Sequence, residues 1–157
     1  KGSAAQERSL RSAWYVGNDL SATKGGAQGQ DSVSAAGDGR IGFALEREYG
    51  DAAAKVTTTP VPKPVYAFAG PPGTYAELAA ALQTVTGEAV TFKAVSDDTY
   101  RQAMREAGVA PELVEVLLSM QIMMRAGELD VTSSDLADVL GRPVTPLATA
   151  IREILAR

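Results

Sequence analysis

The alternation of apolar and polar positions along the chain predicts a mixed α/β domain that ends in helices. Short apolar runs bounded by turn residues predict strands over 40–45, 65–69 and 90–95, and a short strand or its exit loop over 9–15. Apolar residues three and four positions apart predict helices; these cover about 46–58, 75–86, 97–107, 111–126 and 134–140, and the segment after 145. A strand–helix–strand order of this kind indicates an α/β architecture.

Changes in composition divide the chain into three parts. Residues 1–39 hold a polar start, a short aromatic segment and a Gly/Ser/Gln-rich loop. Residues 40–95 form the strand–helix–strand–helix–strand part, with three prolines as a linker inside it, and residues 96–157 form a helical C-terminal lobe.

Several helix ends are marked by residues of known capping chemistry. Thr74 and Glu77 form the pattern of a capping box, and Gly87 suits the position after the helix that they begin. Ser96 is expected to cap the next helix, and Pro111 suits the first turn of the one after it. In the last helix we expect Pro146 in the first turn, and Gly141, Arg142 and Pro143 to end the helix before it.

Composition excludes several classes of chemistry. The chain has no cysteine and no histidine, which removes disulfides, thiolate nucleophiles, triads that need an imidazole, and most transition-metal sites. The formal net charge of −4 and the scattered basic residues argue against nucleic acid or an anionic membrane as partner. No apolar run approaches the length of a membrane span, and the polar start lacks the core of a signal peptide, so a cytoplasmic location is expected.

Two glycine-rich segments are candidates for phosphate binding, and both are better explained as turns. Gly37, Gly39 and Gly42 spell GxGxxG, but a polar loop precedes them and the third glycine lies in a predicted strand. The segment 70–74 lies between a strand and a helix, yet its two prolines supply no N–H for a phosphate.

The candidate substrate-binding residues are Trp14, Tyr15 and Asn18. Aromatic rings stack on planar substrates, and an asparagine amide hydrogen-bonds a carbonyl, although an aromatic pair taken alone is more often part of a core. The methionines of 111–126 are better read as core than as a pocket, and that helix is apolar nearly all round, so we expect it to be buried or to meet a partner. The charges of Glu46, Arg47 and Glu48 are interpreted as a solvated helix start.

An ordered series of segments over about 150 residues resembles the C-terminal half of NmrA-like atypical short-chain dehydrogenases of the NAD(P)H:quinone oxidoreductase type. The segment 10–18 resembles the family's LRxxWYxxN, and 37–41 resembles its GDGRI strand, with an Ala-rich helix after it. The segments 65–71, 86–90 and 140–147 follow in the family's order. One departure concerns the family's usual Arg-x-Asp, which appears here as Glu46, Arg47 and Glu48.

The resemblance implies the later strands of a Rossmann-type sheet, a helical lobe, and hydride transfer from NADPH or NADH to a quinone-like substrate. It places Trp14, Tyr15 and Asn18 beside the nicotinamide and substrate cleft. The family's dinucleotide-binding half has no counterpart in these residues, so we expect this chain alone to bind no cofactor. Catalytic residues are not assigned.

Two alternatives to catalysis remain open. The chain is then either a non-catalytic NmrA-like redox-sensing or protein-interaction module, or an inactive or engineered fragment. In each case a truncated sheet leaves an open edge and an apolar face, so we expect self-association or a partner chain.

Overall fold

The computed structural model describes residues 9–12, 14–15 and 32–156 and contains short strands and longer helices. The strands are β1 (Ser9–Ser12), β2 (Trp14–Tyr15), β3 (Ser32–Ser34), β4 (Ile41–Ala44), β5 (Val65–Phe68), β6 (Pro72–Gly73) and β7 (Phe92–Ala94). The helices are α1 (Glu46–Thr58), α2 (Tyr75–Thr86), α3 (Asp97–Glu106), α4 (Pro111–Arg125), α5 (Asp135–Leu140) and α6 (Leu147–Leu155). The expected α/β class is therefore confirmed.

The strands pair mostly in parallel and across long stretches of sequence. β1 pairs with β5, β2 with β4, and β3 with β7, all parallel, while β6 lies antiparallel to β4. Parallel pairing requires crossover connections, which the intervening helices supply. This is the arrangement expected for part of a Rossmann-type sheet.

The predicted helix starts are confirmed for α2, α3 and α4. The Thr74 hydroxyl accepts from the Glu77 N–H at 3.2 Å, and the Glu77 carboxylate accepts from the Thr74 N–H at 2.7 Å, which completes the capping box. Ser96 accepts from the Thr99 N–H at 3.3 Å, and Pro111 is the first residue of α4. Each of these starts depends on residues close in sequence, which is why the sequence alone predicts them.

The start of the last helix and the extent of several strands differ from expectation, and β3 lies within the Gly/Ser/Gln-rich segment that was expected to be a loop. Pro146 has ψ of 142° and caps α6 from outside, so its expected place in the first turn is wrong by one residue. The strand expected over 90–95 is reduced to β7, where Lys93 and Ala94 are exposed and contribute little to the core. The strand expected over 65–69 ends at Phe68, and the segment 9–15 holds two separate short strands.

β4 lies between two apolar cores and contributes to both. Ile41 and Phe43 pack in one core, which is completed by α2 and α6, while Ala44 packs in the other core, beneath α1 and α5. A third, smaller core joins the end of β3 to α3 and α4 through Tyr100 and Leu118. Helices of the C-terminal lobe thus pack on both sides of β4; the three-part division of the chain stays a prediction.

The outer edge of β5 is covered by a side chain of α5. One carboxylate oxygen of Asp135 accepts from the Ala67 N–H at 3.0 Å, and the other pairs with the Lys63 ammonium at 2.5 Å. Lys63 and the Ala67 N–H together hold the pKa of Asp135 below its ordinary value. An edge that would otherwise offer a free donor to another strand is therefore occupied at this residue.

Helix α4 buries one face and exposes another, so the expectation that it is buried or meets a partner is met on one side. Its buried residues are Val114, Leu118, Gln121 and Met124. Its exposed large apolar residues are Leu113, Val116, Ile122 and Met123.

Candidate functional site

Two of the three candidate substrate residues lie at the carboxyl end of a strand pair. Trp14 is in register with Phe43, and Tyr15 is in register with Ala44, in the parallel pair of β2 and β4. Asn18 lies outside the described residues. In α/β sheets, ligands bind beyond the carboxyl ends of parallel strands, so the backbone position of Trp14 and Tyr15 agrees with the expected role, which stays a prediction.

β4 is fixed on its other side by a very close backbone approach. The Phe43 N–H donates to the Pro71 carbonyl at 3.3 Å. A methyl group added at Gly70 would lie 1.7 Å from the Phe43 carbonyl oxygen, so only glycine fits there. This approach fixes the strand that carries the register partners of Trp14 and Tyr15.

The residue after β4 is tied to a buried carboxylate. Leu45 donates its N–H to Oε2 of Glu48 at 3.3 Å, at the first turn of α1. Oε1 of Glu48 accepts three further hydrogen bonds: from Nη1 of Arg142 at 2.8 Å, and from the N–H and the hydroxyl of Thr145 at 3.0 and 2.8 Å. We call Leu45, Glu48, Arg142 and Thr145 the Glu48 clasp.

The surroundings of Glu48 favour its ionised form. Burial raises its pKa, but the hydrogen bonds from Arg142, Thr145 and Leu45 together outweigh burial and lower the pKa below its ordinary value of 4.5. A buried carboxylate is stable only when it is paired and hydrogen-bonded, and these donors meet that need.

The interpretation of residues 46–48 as a solvated helix start is therefore wrong for Glu48. Glu46 and Arg47 are exposed, whereas the Glu48 side chain is fully buried. One signal in the sequence was available: Glu48, Ala52 and Val56 recur every four residues, on the same side of α1 as the apolar stripe.

A second buried polar centre holds the end of β3 against the C-terminal lobe. Oε1 of Gln121 accepts from the Ser34 hydroxyl at 2.9 Å and from the N–H groups of Ala35 and Ala36 at 3.0 and 3.1 Å. Its Nε2 donates to the Tyr75 hydroxyl at 3.0 Å. Sequence reasoning missed this residue, because a glutamine in an apolar helix gives no sign of where its partners lie.

The first glycine-rich segment is a turn and a strand, as expected. Gly37 has φ of +56° in the turn, and Gly42 lies inside β4. Gly39 is in close contact with α4, since a methyl group there would lie 2.4 Å from the Met124 carbonyl oxygen. These residues do not fit a dinucleotide phosphate, which needs a turn that leads directly into a helix.

The second glycine-rich segment is also structural. Pro72 and Gly73 form β6 against β4, and Thr74 caps α2. The Pro72 carbonyl accepts from Nη2 of Arg40 at 2.6 Å, so it is used within the chain.

The methionines of α4 divide between core and surface. Met124 is fully buried in the first core, as expected of a packing residue, whereas 38% of Met123 is exposed.

Among the described residues no group of histidine, cysteine, aspartate and glutamate side chains has the arrangement of a metal site. Within the same part of the chain, none of the helices has the length and apolar character to span a bilayer.

Comparison with known proteins places this architecture among the Rossmann-like reductases. No family model matches the chain. The chain is 30% identical to quinone oxidoreductase 2 of Escherichia coli over 147 residues. This alignment covers 92% of the chain and 51% of that protein. The crystal structure of that NADPH-dependent enzyme in complex with NADPH superposes with a TM-score of 0.87 at 29% identity, over 92% of this chain and 52% of the other.

Two further structures agree with this assignment. Triphenylmethane reductase of Citrobacter, in complex with NADP(H), superposes with a TM-score of 0.84 at 27% identity, over 92% of this chain and 51% of that one. A nucleoside-diphosphate-sugar epimerase from Staphylococcus aureus, with a TM-score of 0.80 over 89% of this chain and 50% of that one, is 22% identical and shows the fold alone.

The fold of the chain is that of part of the Rossmann-like reductases with which it superposes. More particularly, the chain is a homologue of quinone oxidoreductase 2, and the resemblance to the C-terminal half of an NmrA-like quinone oxidoreductase is confirmed. The chain spans about half the length of the relatives that it matches.

Proposed function

We propose that this chain forms the acceptor-binding side of an NAD(P)H-dependent oxidoreductase that reduces quinone-like compounds. The observation that carries the proposal is the register of Trp14 and Tyr15 against the end of β4, in a chain that is 30% identical to a quinone oxidoreductase. Parallel strands bring their carboxyl ends to one edge, where an acceptor would bind beside this pair of residues.

The chemistry required of this side is alignment of the acceptor. In the proposal, one aromatic ring of the Trp14–Tyr15 pair stacks on a planar acceptor, and the Asn18 amide donates to its carbonyl oxygen. A reduced nicotinamide, when bound, would supply the hydride. The described glycine-rich segments do not fit the dinucleotide phosphates, so no transfer step is assigned to the described residues.

The two solved relatives with named acceptors suggest the range of compounds to test. One is a quinone oxidoreductase and the other is a reductase of triphenylmethane dyes. Both kinds of acceptor are conjugated and electron-poor and gain the equivalent of a hydride on reduction, and both offer flat aromatic or quinoid rings, although the three rings of a triphenylmethane dye are twisted relative to one another. A stacking surface serves either, whereas a hydrogen bond from Asn18 favours the quinone because only the quinone has carbonyl oxygens.

The single tryptophan of the sequence makes the proposal directly testable. Trp14 is the only tryptophan, so its fluorescence reports on the proposed site alone. We expect menadione to quench this fluorescence saturably, and Asn18→Ala to raise the dissociation constant about tenfold, the equivalent of one lost hydrogen bond of ~1.4 kcal/mol.

The matched control is Gln102→Ala, which removes an exposed amide from α3 and should leave the dissociation constant unchanged. Quenching that rises linearly with menadione, and equally in the Asn18→Ala variant, would reflect random collisions and would count against an acceptor site at Trp14.

The alternative of a redox-sensing or protein-interaction module stays open, and the exposed apolar residues of α4 are the feature that favours it. Oxidation of NADPH that depends on menadione distinguishes the two. Turnover supports the oxidoreductase, whereas saturable quinone binding without any turnover by the full-length gene product supports a sensing module.

A further inference from the structure

The Glu48 clasp connects two segments that are far apart in sequence. Leu45 directly follows β4, and Arg142 and Thr145 lie in the connection between α5 and α6. Glu48 is the one charged residue that is buried among the residues the structure describes. Its carboxylate thus connects the two segments: Oε2 accepts from the residue after β4, and Oε1 accepts from the connection before α6.

β4 is also the strand on which β2 lies. Leu45 follows the register partner of Tyr15 by one residue. Because Gly70 and Pro71 hold the other side of Phe43, β4 has little room to absorb a shift at its carboxyl end. A displacement of Leu45 is therefore expected to change the position of β2.

We propose that Glu48 is a positioning residue, which fixes the carboxyl end of β2 and β4, and with it Trp14 and Tyr15, against the 142–145 segment of the C-terminal lobe. This inference rests on the proposed function for its consequence, which is the alignment of the acceptor. It assigns Glu48 no contact with substrate and no part in the chemistry.

The test uses Trp14 fluorescence in the full chain, without ligand, in wild type and in Glu48→Gln. Glutamine keeps the size of the side chain but removes the charge that Arg142 pairs with, and it places an N–H₂ group where a carboxylate oxygen accepts. We expect the acrylamide quenching constant of Trp14 to change by at least about 1.5-fold, at a temperature where circular dichroism shows both proteins fully folded.

Glu46→Gln is the matched control, because Glu46 lies in the same first turn of α1 and carries the same charge but is exposed. It should leave the quenching constant of Trp14 unchanged. Thr145→Val removes only one donor of the clasp and serves as the milder variant if Glu48→Gln does not fold; it should change the constant in the same direction.

The acrylamide measurement decides the inference and the menadione titration decides the proposed function. The inference is overturned if Glu48→Gln, or Thr145→Val in its place, changes the acrylamide quenching constant of Trp14 no more than Glu46→Gln does. Glu48 then does not position the strand. If acrylamide quenching changes but wild type shows no saturable menadione binding, Glu48 positions the strand and the proposed acceptor site is wrong. Changes in both acrylamide quenching and menadione affinity support both.

Discussion

At the scale of single residues, a side chain's role could be predicted from the sequence when its hydrogen-bond partners are close in sequence. The Thr74–Glu77 capping box was predictable because its partners are three residues apart. The burial of Glu48 was indicated only by its spacing from Ala52 and Val56, and its partners Arg142 and Thr145 could not be predicted because they lie about a hundred positions away. A charged residue at a helix start looks solvated until the segment that covers it is known.

Gln121 gives the residue-scale prediction. Replacing it with leucine keeps the size of the side chain but leaves the Ala35 N–H and the Ser34 hydroxyl without their acceptor, while the Ala36 N–H keeps only the Ser34 hydroxyl oxygen at 3.1 Å. Each buried group that loses its partner costs about 1 kcal/mol or more, so we expect Gln121→Leu to lower the free energy of unfolding by about 2 kcal/mol.

Urea denaturation measures this difference, with Gln102→Leu as the control. Gln102 is exposed and bonds only within its own helix, to Glu106, so its loss should cost under about 0.5 kcal/mol. Equal midpoints for the two variants would show that the hydrogen bonds of Gln121 contribute nothing to stability.

At the scale of elements, helices were predicted more accurately than strands. Helix ends are set by local capping and by breaking residues, as at Gly87, where φ is +76°. The strands are two to four residues long, too short for alternation to be distinctive, and their extent depends on a parallel partner elsewhere in the chain. β7, for example, exists because β3 pairs with it.

Two glycines give opposite predictions at this scale. Gly50 lies in the exposed interior of α1 with nothing within 4 Å of an added methyl group, so Gly50→Ala should raise the melting temperature by about 2–4 °C, through helix propensity. Gly70→Ala would place its methyl group 1.7 Å from the Phe43 carbonyl oxygen, which forces β4 to move, so a fall of about 10 °C is expected.

Thermal unfolding followed by circular dichroism measures both changes in melting temperature. A Gly70→Ala variant as stable as wild type would mean that the 70–73 segment and β4 are not packed as tightly as the structure has them.

At the scale of the whole molecule, the apolar surface of α4 is the feature that a partner would cover. Leu113, Val116, Met120 and Met123 recur at spacings of three and four residues, so they share one side of the helix, away from its buried face. Leu113, Val116 and Met123 are exposed, and Met120 is partly buried. The expected self-association, or binding of a partner chain, stays a prediction that this surface makes specific.

Val116→Glu tests it, because a charge in the middle of such a stripe opposes its burial. We expect wild type to gain mass with concentration in light scattering and the variant to remain at the mass of one chain. Val61→Glu is the control, since Val61 is 88% exposed and lies outside α4. A wild-type protein that keeps the mass of one chain at all concentrations would rule out self-association and leave a partner chain as the remaining explanation.

The long-range pairing of the strands has a consequence for the order in which the molecule folds. β1 pairs with β5, β2 pairs with β4 and β3 pairs with β7, and in each pair the two strands are far apart in sequence. None of the parallel pairs can therefore form from neighbouring residues. During synthesis, each earlier strand therefore leaves the ribosome before the later strand that it pairs with in this structure. Such a high contact order predicts slow folding, and a dependence on chaperones that hold the early strands apart from other chains.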